Sequence, residues 1–291
     1  MPRPTTSRHH LAAQPPYDGP RLLAFVGAHA VPGVEVWDGV RWGRTLRLPG
    51  GPGVAQVEAA PGGVDVELTL TDPADEEPAL RRLRHLLDVD RDVRPAERHL
   101  GADPLLGPVV ARRPGLRAPG SLDDGETLVR IVIGQQVSLG GARTVAGRLV
   151  AAAGTPLPAA LAAVHPGLTT TFPAPAAVAA LDPAGGDLAM PRARARAVVA
   201  CAAAVRDHGD RLPDRATLLA LPGVGPWTAD SCDLRCRADP DVFLPTDLAA
   251  RRALVAAGVV DTPAAVAAAA AAWAPHRSTA LLHVWAEYLG L

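Results

Sequence analysis

Every strand-forming pattern in this 291-residue chain falls near its N-terminus, and that asymmetry restricts the fold more than any other feature. Residues 34–48 (VEVWDGVRWGRTLRL) read as two strands joined at Asp38-Gly39, a dipeptide suited to a tight hairpin. VAQVEAA at 54–60 and VDVELTL at 64–70 alternate apolar and polar residues around Pro61-Gly62-Gly63, predicting a second hairpin. Residues 15–30 predict an extended entry and a short helix with Pro20 at its start. Asp75 to Asp88 has helical periodicity, with acids at its front and arginines toward its back, as the helix dipole prefers. The basic N-terminal stretch before Pro15 is expected as a short disordered lead. Residues 1–93 therefore predict an α+β domain built on an antiparallel sheet.

From residue 95 the strand signals vanish. Leu105 to Pro119 is rich in Pro and Gly and reads as a connection. Helix patterns then follow at 123–134, 138–153, 174–182, 191–207, 214–220, 227–237, 247–257, 263–273 and 276–289, the one at 263 announced by Thr262 as N-cap and Pro263 behind it. Residues 94–291 are expected to be all-α.

Composition narrows the function. No stretch reaches the roughly 18 strongly apolar residues that a membrane helix needs. MPRPTTSRHHLAAQ lacks the apolar centre of a secretory signal, so the expected location is the cytoplasm. Cys201, Cys232 and Cys236 are too few for a disulfide framework or a four-cysteine iron–sulfur cluster, and further ligands at metal spacing are lacking. All three read as small packed side chains. The net charge of −1 is not that of a strongly basic nucleic-acid binder, although a local positive face suffices to engage phosphates. The chain has no lysine, its 29 basic residues all being arginine, so no lysine amine is available for a Schiff base.

The most informative stretch is Leu218 to Ala229 (LLALPGVGPWTA). A helix ends near Leu221, the turn runs through Pro222-Gly223-Val224-Gly225, and a new helix opens at Pro226. The glycines let the backbone turn tightly and approach a ligand closely, and the following helix aims its free N–H groups forward, which suits a nucleic-acid phosphate. Taken alone, Gly-x-Gly between helices also reads as a plain connecting turn. Asp247 follows in DVFLPTDLAARRAL, at the start of another helix. Further segments lie in order along the chain: QPPYD at 14–18, RRPGLRAPG at 112–120, IGQQVS at 133–138, FPAP at 172–175 and APHRSTALLHVW at 274–285. Together these resemble the helix-hairpin-helix DNA glycosylase superfamily and, within it, the 3-methyladenine DNA glycosylase II family.

The resemblance implies a two-layer N-terminal domain like that of TATA-binding proteins, then two helical subdomains with the hairpin at 221–225 and a DNA cleft between them. It implies that Asp247 is the catalytic carboxylate, stabilising an oxocarbenium-like sugar as in glycoside hydrolysis. The local setting of Asp247 also fits a helix cap, and the two roles are compatible. Trp227 stands where the strand-nicking branch of the superfamily carries its Schiff-base lysine, so base removal without strand cleavage is expected. Phe25, Trp227 and Trp285 are implied as base-pocket walls for positively charged alkylated purines, with core packing the alternative for Phe25 and Trp285. Ser231 and Leu248 stand where the best-known relatives have tyrosine, which implies a pocket that is roomier or less selective for cations.

Gln135 and Gln136 are implied to approach the minor groove, Gln136 as the wedge in the gap left by a flipped nucleotide or, alternatively, as a polar helix-terminus residue. Gly223, Val224, Gly225 and Thr228 would meet phosphate. The carbonyls of Leu219, Leu221 and Val224 would hold a sodium or potassium ion, with no other cofactor and no iron–sulfur cluster. Arg251 and Arg252 either hold the Asp247 carboxylate, touch phosphate or stay solvated. Arg277 and Ser278 either meet the DNA backbone or cap the last helix, and His283 reads as a packed residue.

The expected function is that of a monomeric, monofunctional DNA glycosylase, excising 3-methyladenine, 7-methylguanine and similar alkylated bases from duplex DNA by base flipping. The alternative is a non-catalytic helix-hairpin-helix protein that binds DNA damage, against which the retained Asp247 argues. A lyase acting on oxidised bases is opposed by the missing lysine. About fourteen residues precede the resemblance, which argues against a fused adaptive-response regulator.

Overall fold

The computed structural model describes residues 3–186 and 188–289. Strands β1 (Thr5–Ala12), β2 (Glu35–Trp37), β3 (Arg41–Leu48), β4 (Gly51–Ala60) and β5 (Gly63–Leu70) form an antiparallel sheet in the order β1-β5-β4-β3-β2. Both hairpins form where the sequence places them. In the first, the Asp38 carboxylate accepts from the N–H groups of Val40 and Arg41 at 2.8 and 2.7 Å, closing the turn.

Helices α1 (Gly19–Ala28) and α2 (Glu76–Leu87) cover one face of the sheet. Leu22, Leu23 and Val26 of the first and Ala79, Leu83 and Leu87 of the second pack against Trp42, Leu46, Val57, Val66 and Leu68. These strand residues share a face because side chains alternate with a period of two. Each large apolar side chain so buried contributes roughly 2 kcal/mol. Asp18 caps the first helix by accepting from Arg21 N at 3.1 Å, with Pro20 in the first turn.

Residues 5–12 do not form the expected disordered lead. Thr5–Ala12 is an edge strand in full register with β5, from Thr5↔Leu70 to Ala12↔Gly63. Leu11 is the buried residue of this strand, so its sequence carries no apolar alternation that could announce it.

Helices α3 (Arg94–Gly101), α4 (Gly107–Arg112), α5 (Asp124–Gly134) and α6 (Leu139–Ala153) follow. The connection expected over 105–119 thus contains a short helix. Beyond it the chain carries a two-residue strand pair, β6 (Thr155–Pro156) with β7 (Thr170–Thr171), enclosing α7 (Ala159–Ala162). Leu157, Leu161 and Leu168 of this excursion pack on Val54, on the opposite sheet face. The remaining helices are α8 (Pro175–Ala179), α9 (Arg192–Asp207), α10 (Arg215–Ala220), α11 (Pro226–Arg235), α12 (Leu248–Ala256), α13 (Pro263–Ala269) and α14 (Arg277–Leu289). No helix among the described residues is long and apolar enough to cross a membrane.

The helices gather into two apolar cores. One joins α5, α6, α8 and α9 through residues such as Leu128, Leu149, Val178 and Val198. The other joins α3, α4, α12, α13 and α14 through Leu100, Val110, Leu254, Val266 and Leu281. Trp227, on α11, packs against both. The sheet is fixed to the first group by buried charge. Arg44 of β3 donates to Glu126 of α5 at 2.8 Å and reaches Glu35 at 3.4 Å, while Arg130 donates to Glu35 and Glu126 at 2.9 and 2.8 Å. Burial alone would raise the Glu126 carboxyl, but the two guanidiniums outweigh it and hold the group below its ordinary range.

Candidate active site

The α10–turn–α11 hairpin faces an open cleft of about 1020 Å³, lined on one side by Gln135, Gln136 and Ser138 and on the other by Asp247, Leu248, Arg252 and Tyr288. The hairpin forms here because α10 ends before Pro222, which cannot continue it, and Gly223 takes up φ +74°, which favours glycine. A Cβ at Gly223 would lie 2.8 Å from the Ala197 Cβ of α9, so the turn is pressed against that helix. Val224 N donates to Leu221 O at 3.2 Å, while the N–H groups of Gly223 and Gly225 have no partner among the described residues. Gly225 caps α11 without a side-chain hydrogen bond, and its carbonyl accepts from Thr228 N and Ala229 N at 3.0 and 3.1 Å. Pro226 carries no N–H, which leaves Trp227 N as the first-turn donor without a backbone partner among the described residues.

Asp247 caps α12, its Oδ1 accepting from Ala250 N at 3.0 Å. The same oxygen accepts from the indole Nε1 of Trp285 at 3.0 Å, and Oδ2 accepts from the Nε1 of Trp227 at 3.2 Å. The carboxylate is half-buried and lines the cleft. Neither neighbouring arginine holds it. Arg251 pairs with Asp261, and Arg252 donates to the Tyr288 hydroxyl at 3.2 Å.

Of the remaining sequence candidates, some line this cleft and others lie away from it. Leu248 is 59% exposed in the cleft wall. Ser231 lies buried one turn beyond Trp227 and donates to its carbonyl at 2.7 Å. The Gln135 amide donates to Gly223 O at 3.0 Å and to the Thr228 hydroxyl at 2.9 Å, so in the free protein it braces the hairpin. Gln136 is exposed at φ +54° on the opposite rim. Phe25 is not brought to this cleft. It packs on the sheet core, stacks on His29 at 4.3 Å and lines a small interior cavity with Trp42 and Arg130. Arg277 pairs with Asp241 and the Ser278 hydroxyl donates to Asp239 O at 2.6 Å, so both fasten the start of α14. His283 is fully buried with neither ring nitrogen hydrogen-bonded, and burial pushes it down to about 4. Sequence reasoning missed Tyr288, although it follows Trp285 by three positions and so shares its helix face.

Residues 8–123 match the family described as the AlkA N-terminal domain. A Mycobacterium tuberculosis protein named probable bifunctional transcriptional activator/DNA repair enzyme AlkA is 42% identical over 283 residues, covering 94% of this chain and 56% of the relative. Escherichia coli DNA-3-methyladenine glycosylase 2 is 34% identical over 284 residues, covering 94% of both chains. The chain belongs to the DNA-3-methyladenine glycosylase 2 family. It spans about half the length of the M. tuberculosis relatives it matches. Among solved structures, the 3-methyladenine DNA-glycosylase from Archaeoglobus fulgidus superposes with a TM-score of 0.78 at 19% identity, over 97% of this chain and 98% of that one. That likeness shows a shared overall fold over nearly the whole chain.

Proposed function

We propose that this chain is a monofunctional DNA glycosylase that removes alkylated bases from duplex DNA. The observation that carries this reading is the Asp247 carboxylate, held at the wall of an open cleft by uncharged donors and opposite a hairpin with free N–H groups. A base flipped into the cleft would bring its sugar to that carboxylate. The C1′–N bond then breaks, and its electron pair leaves with the base, so that a cationic alkylated purine departs neutral. Positive charge on the sugar is stabilised by Asp247. Water adds to C1′ and loses a proton to the carboxylate or solvent, leaving an abasic site. No lysine is available to form a Schiff base, which supports an intact product strand.

The free N–H groups of Gly223 and Gly225 are suited to a backbone phosphate, and exposed Gln136 to the gap left by the flipped nucleotide. The carbonyls of Leu219 and Val224 accept no backbone hydrogen bond among the described residues, and that of Leu221 accepts one. This donor set suits a sodium or potassium ion, which would stiffen the hairpin and add positive charge beside the phosphate. The chemistry calls for no other cofactor. The favoured substrates are 3-methyladenine and 7-methylguanine, and the acting form is the monomer.

The deciding experiment measures free 3-methyladenine and 7-methylguanine released from methylated duplex DNA, with Asp247→Asn alongside. Release by the unaltered protein alone, with no strand nick before alkali, is expected. Equal release by the variant, or nicking without alkali, would sink the reading. Binding of damaged duplex without release would favour a non-catalytic damage-binding protein.

A further inference from the structure

We infer that Trp227 and Trp285 are positioning residues whose indole N–H groups align the Asp247 carboxylate while leaving its negative charge unneutralised, an inference that rests on the proposed catalytic role of Asp247. Three helices meet at this one side chain: α12 supplies it, α11 brings the Trp227 donor to Oδ2, and α14 brings the Trp285 donor to Oδ1. With the backbone donor of Ala250, the carboxylate accepts three hydrogen bonds, all from neutral groups.

The choice of donor matters for the chemistry. A guanidinium would bind the carboxylate more strongly, but its charge would offset the field that the sugar cation needs. Arginine is the sole long cation of this chain, and two arginines lie on the same helix within five positions of Asp247. Both are committed elsewhere, Arg251 to Asp261 and Arg252 to the Tyr288 hydroxyl. An indole has one donor in a fixed direction and no charge. It fixes the geometry and leaves the charge to act.

The constraint runs both ways. Each ring is pinned at its N–H edge, so its flat faces are fixed with respect to the carboxylate. Trp227 also packs against both helical cores, and Trp285 against the second. The carboxylate is thereby the common reference for the two indole rings. Replacing it with an amide substitutes a donor for one acceptor, so one of the two indoles must lose its partner.

The test uses the full chain and the indole ¹H–¹⁵N resonances of its five tryptophans. Trp227→Phe and Trp285→Phe assign two of them and keep the aromatic bulk. Trp273, whose Nε1 donates to Asp103 at 2.9 Å, and Trp42, whose Nε1 is buried without a partner, are internal references for folding. Asp247→Asn is expected to move the Trp227 and Trp285 resonances and leave the references in place. Each Phe variant is expected to lower the single-turnover excision rate about tenfold, while affinity for a duplex containing an abasic-site analogue stays within about twofold. Unmoved resonances in Asp247→Asn, an unchanged rate in both Phe variants, or a rate that falls only as far as affinity does would each overturn the inference. An Asp247→Asn variant with full excision activity would instead overturn the catalytic reading beneath it, whatever the spectrum records.

Discussion

The side-chain amide of Gln135 donates to the carbonyl of Gly223 at 3.0 Å, joining the end of α5 to the tip of the hairpin. A second bond from the same nitrogen reaches Thr228 Oγ1 at 2.9 Å, inside the first turn of α11. The two neighbouring glutamines therefore differ in kind, one tied into the fold and one exposed at the cleft rim. Gln135→Ala is expected to weaken binding of damaged and undamaged duplex alike, by about 1 kcal/mol or roughly fivefold. Gln136→Ala is expected to weaken only the complex with a lesion-bearing duplex. Fluorescence anisotropy with matched duplexes checks both, and equal effects on the two duplexes from Gln136→Ala would refute the distinction.

Gly223 offers a sharper perturbation. Its φ of +74° disfavours any side chain, and a Cβ there would sit 2.8 Å from the Ala197 Cβ. Gly223→Val should destabilise the protein by about 1–3 kcal/mol and reduce duplex affinity more than tenfold. Thermal unfolding followed by circular dichroism and a binding titration check the two parts separately.

The buried charge cluster should be unforgiving of single changes. Glu126→Ala leaves Arg44 and Arg130 facing Glu35 alone, and is expected to cost about 3–5 kcal/mol in urea denaturation. A loss below about 1 kcal/mol would mean that water compensates the freed guanidiniums.

Stability should fall in mild acid. His283 is pushed down to about 4 by burial and, secondarily, by Arg113, while its unfolded value lies near 6.5. Between those two values the unfolded chain binds more protons than the folded one. The contribution is complete above pH ~6.5 and is lost as pH falls toward 4, on the order of 3 kcal/mol in all. His29, also lowered to about 4 by burial, acts in the same direction. Denaturation at pH 7.5 and 4.5 should show a smaller pH dependence for His283→Leu than for the unaltered chain.

What the sequence made legible was local. Asp38-Gly39 and Pro61-Gly62-Gly63 mark their hairpins because turn chemistry is written in adjacent residues. The strand at Thr5–Ala12 was hidden because its partner lies near position 70 and Leu11 is the buried residue among its eight. The helix at Gly107–Arg112 was hidden by the Pro and Gly around it and by its length of six residues. At the site, Asp247 and the hairpin could be read from their motifs. The indoles that hold Asp247 come from positions 20 and 38 residues away, and nothing in their own neighbourhoods says where their N–H groups turn. Phe25 shows the other case: the resemblance implies a pocket wall, while its packing against the sheet core matches the alternative that the residue itself left open.

Helix α5 has one end under the sheet, through Glu126 and Arg44, and the other against the hairpin, through Gln135 and Gly223. Its eleven residues make a strut about 16 Å long. No residue of the N-terminal sheet lines the cleft, yet loosening the sheet would release the strut and let the hairpin tip drift. Damage to a domain remote from the cleft would then register first as poor grip on whatever the cleft holds, while the helices themselves were still folded.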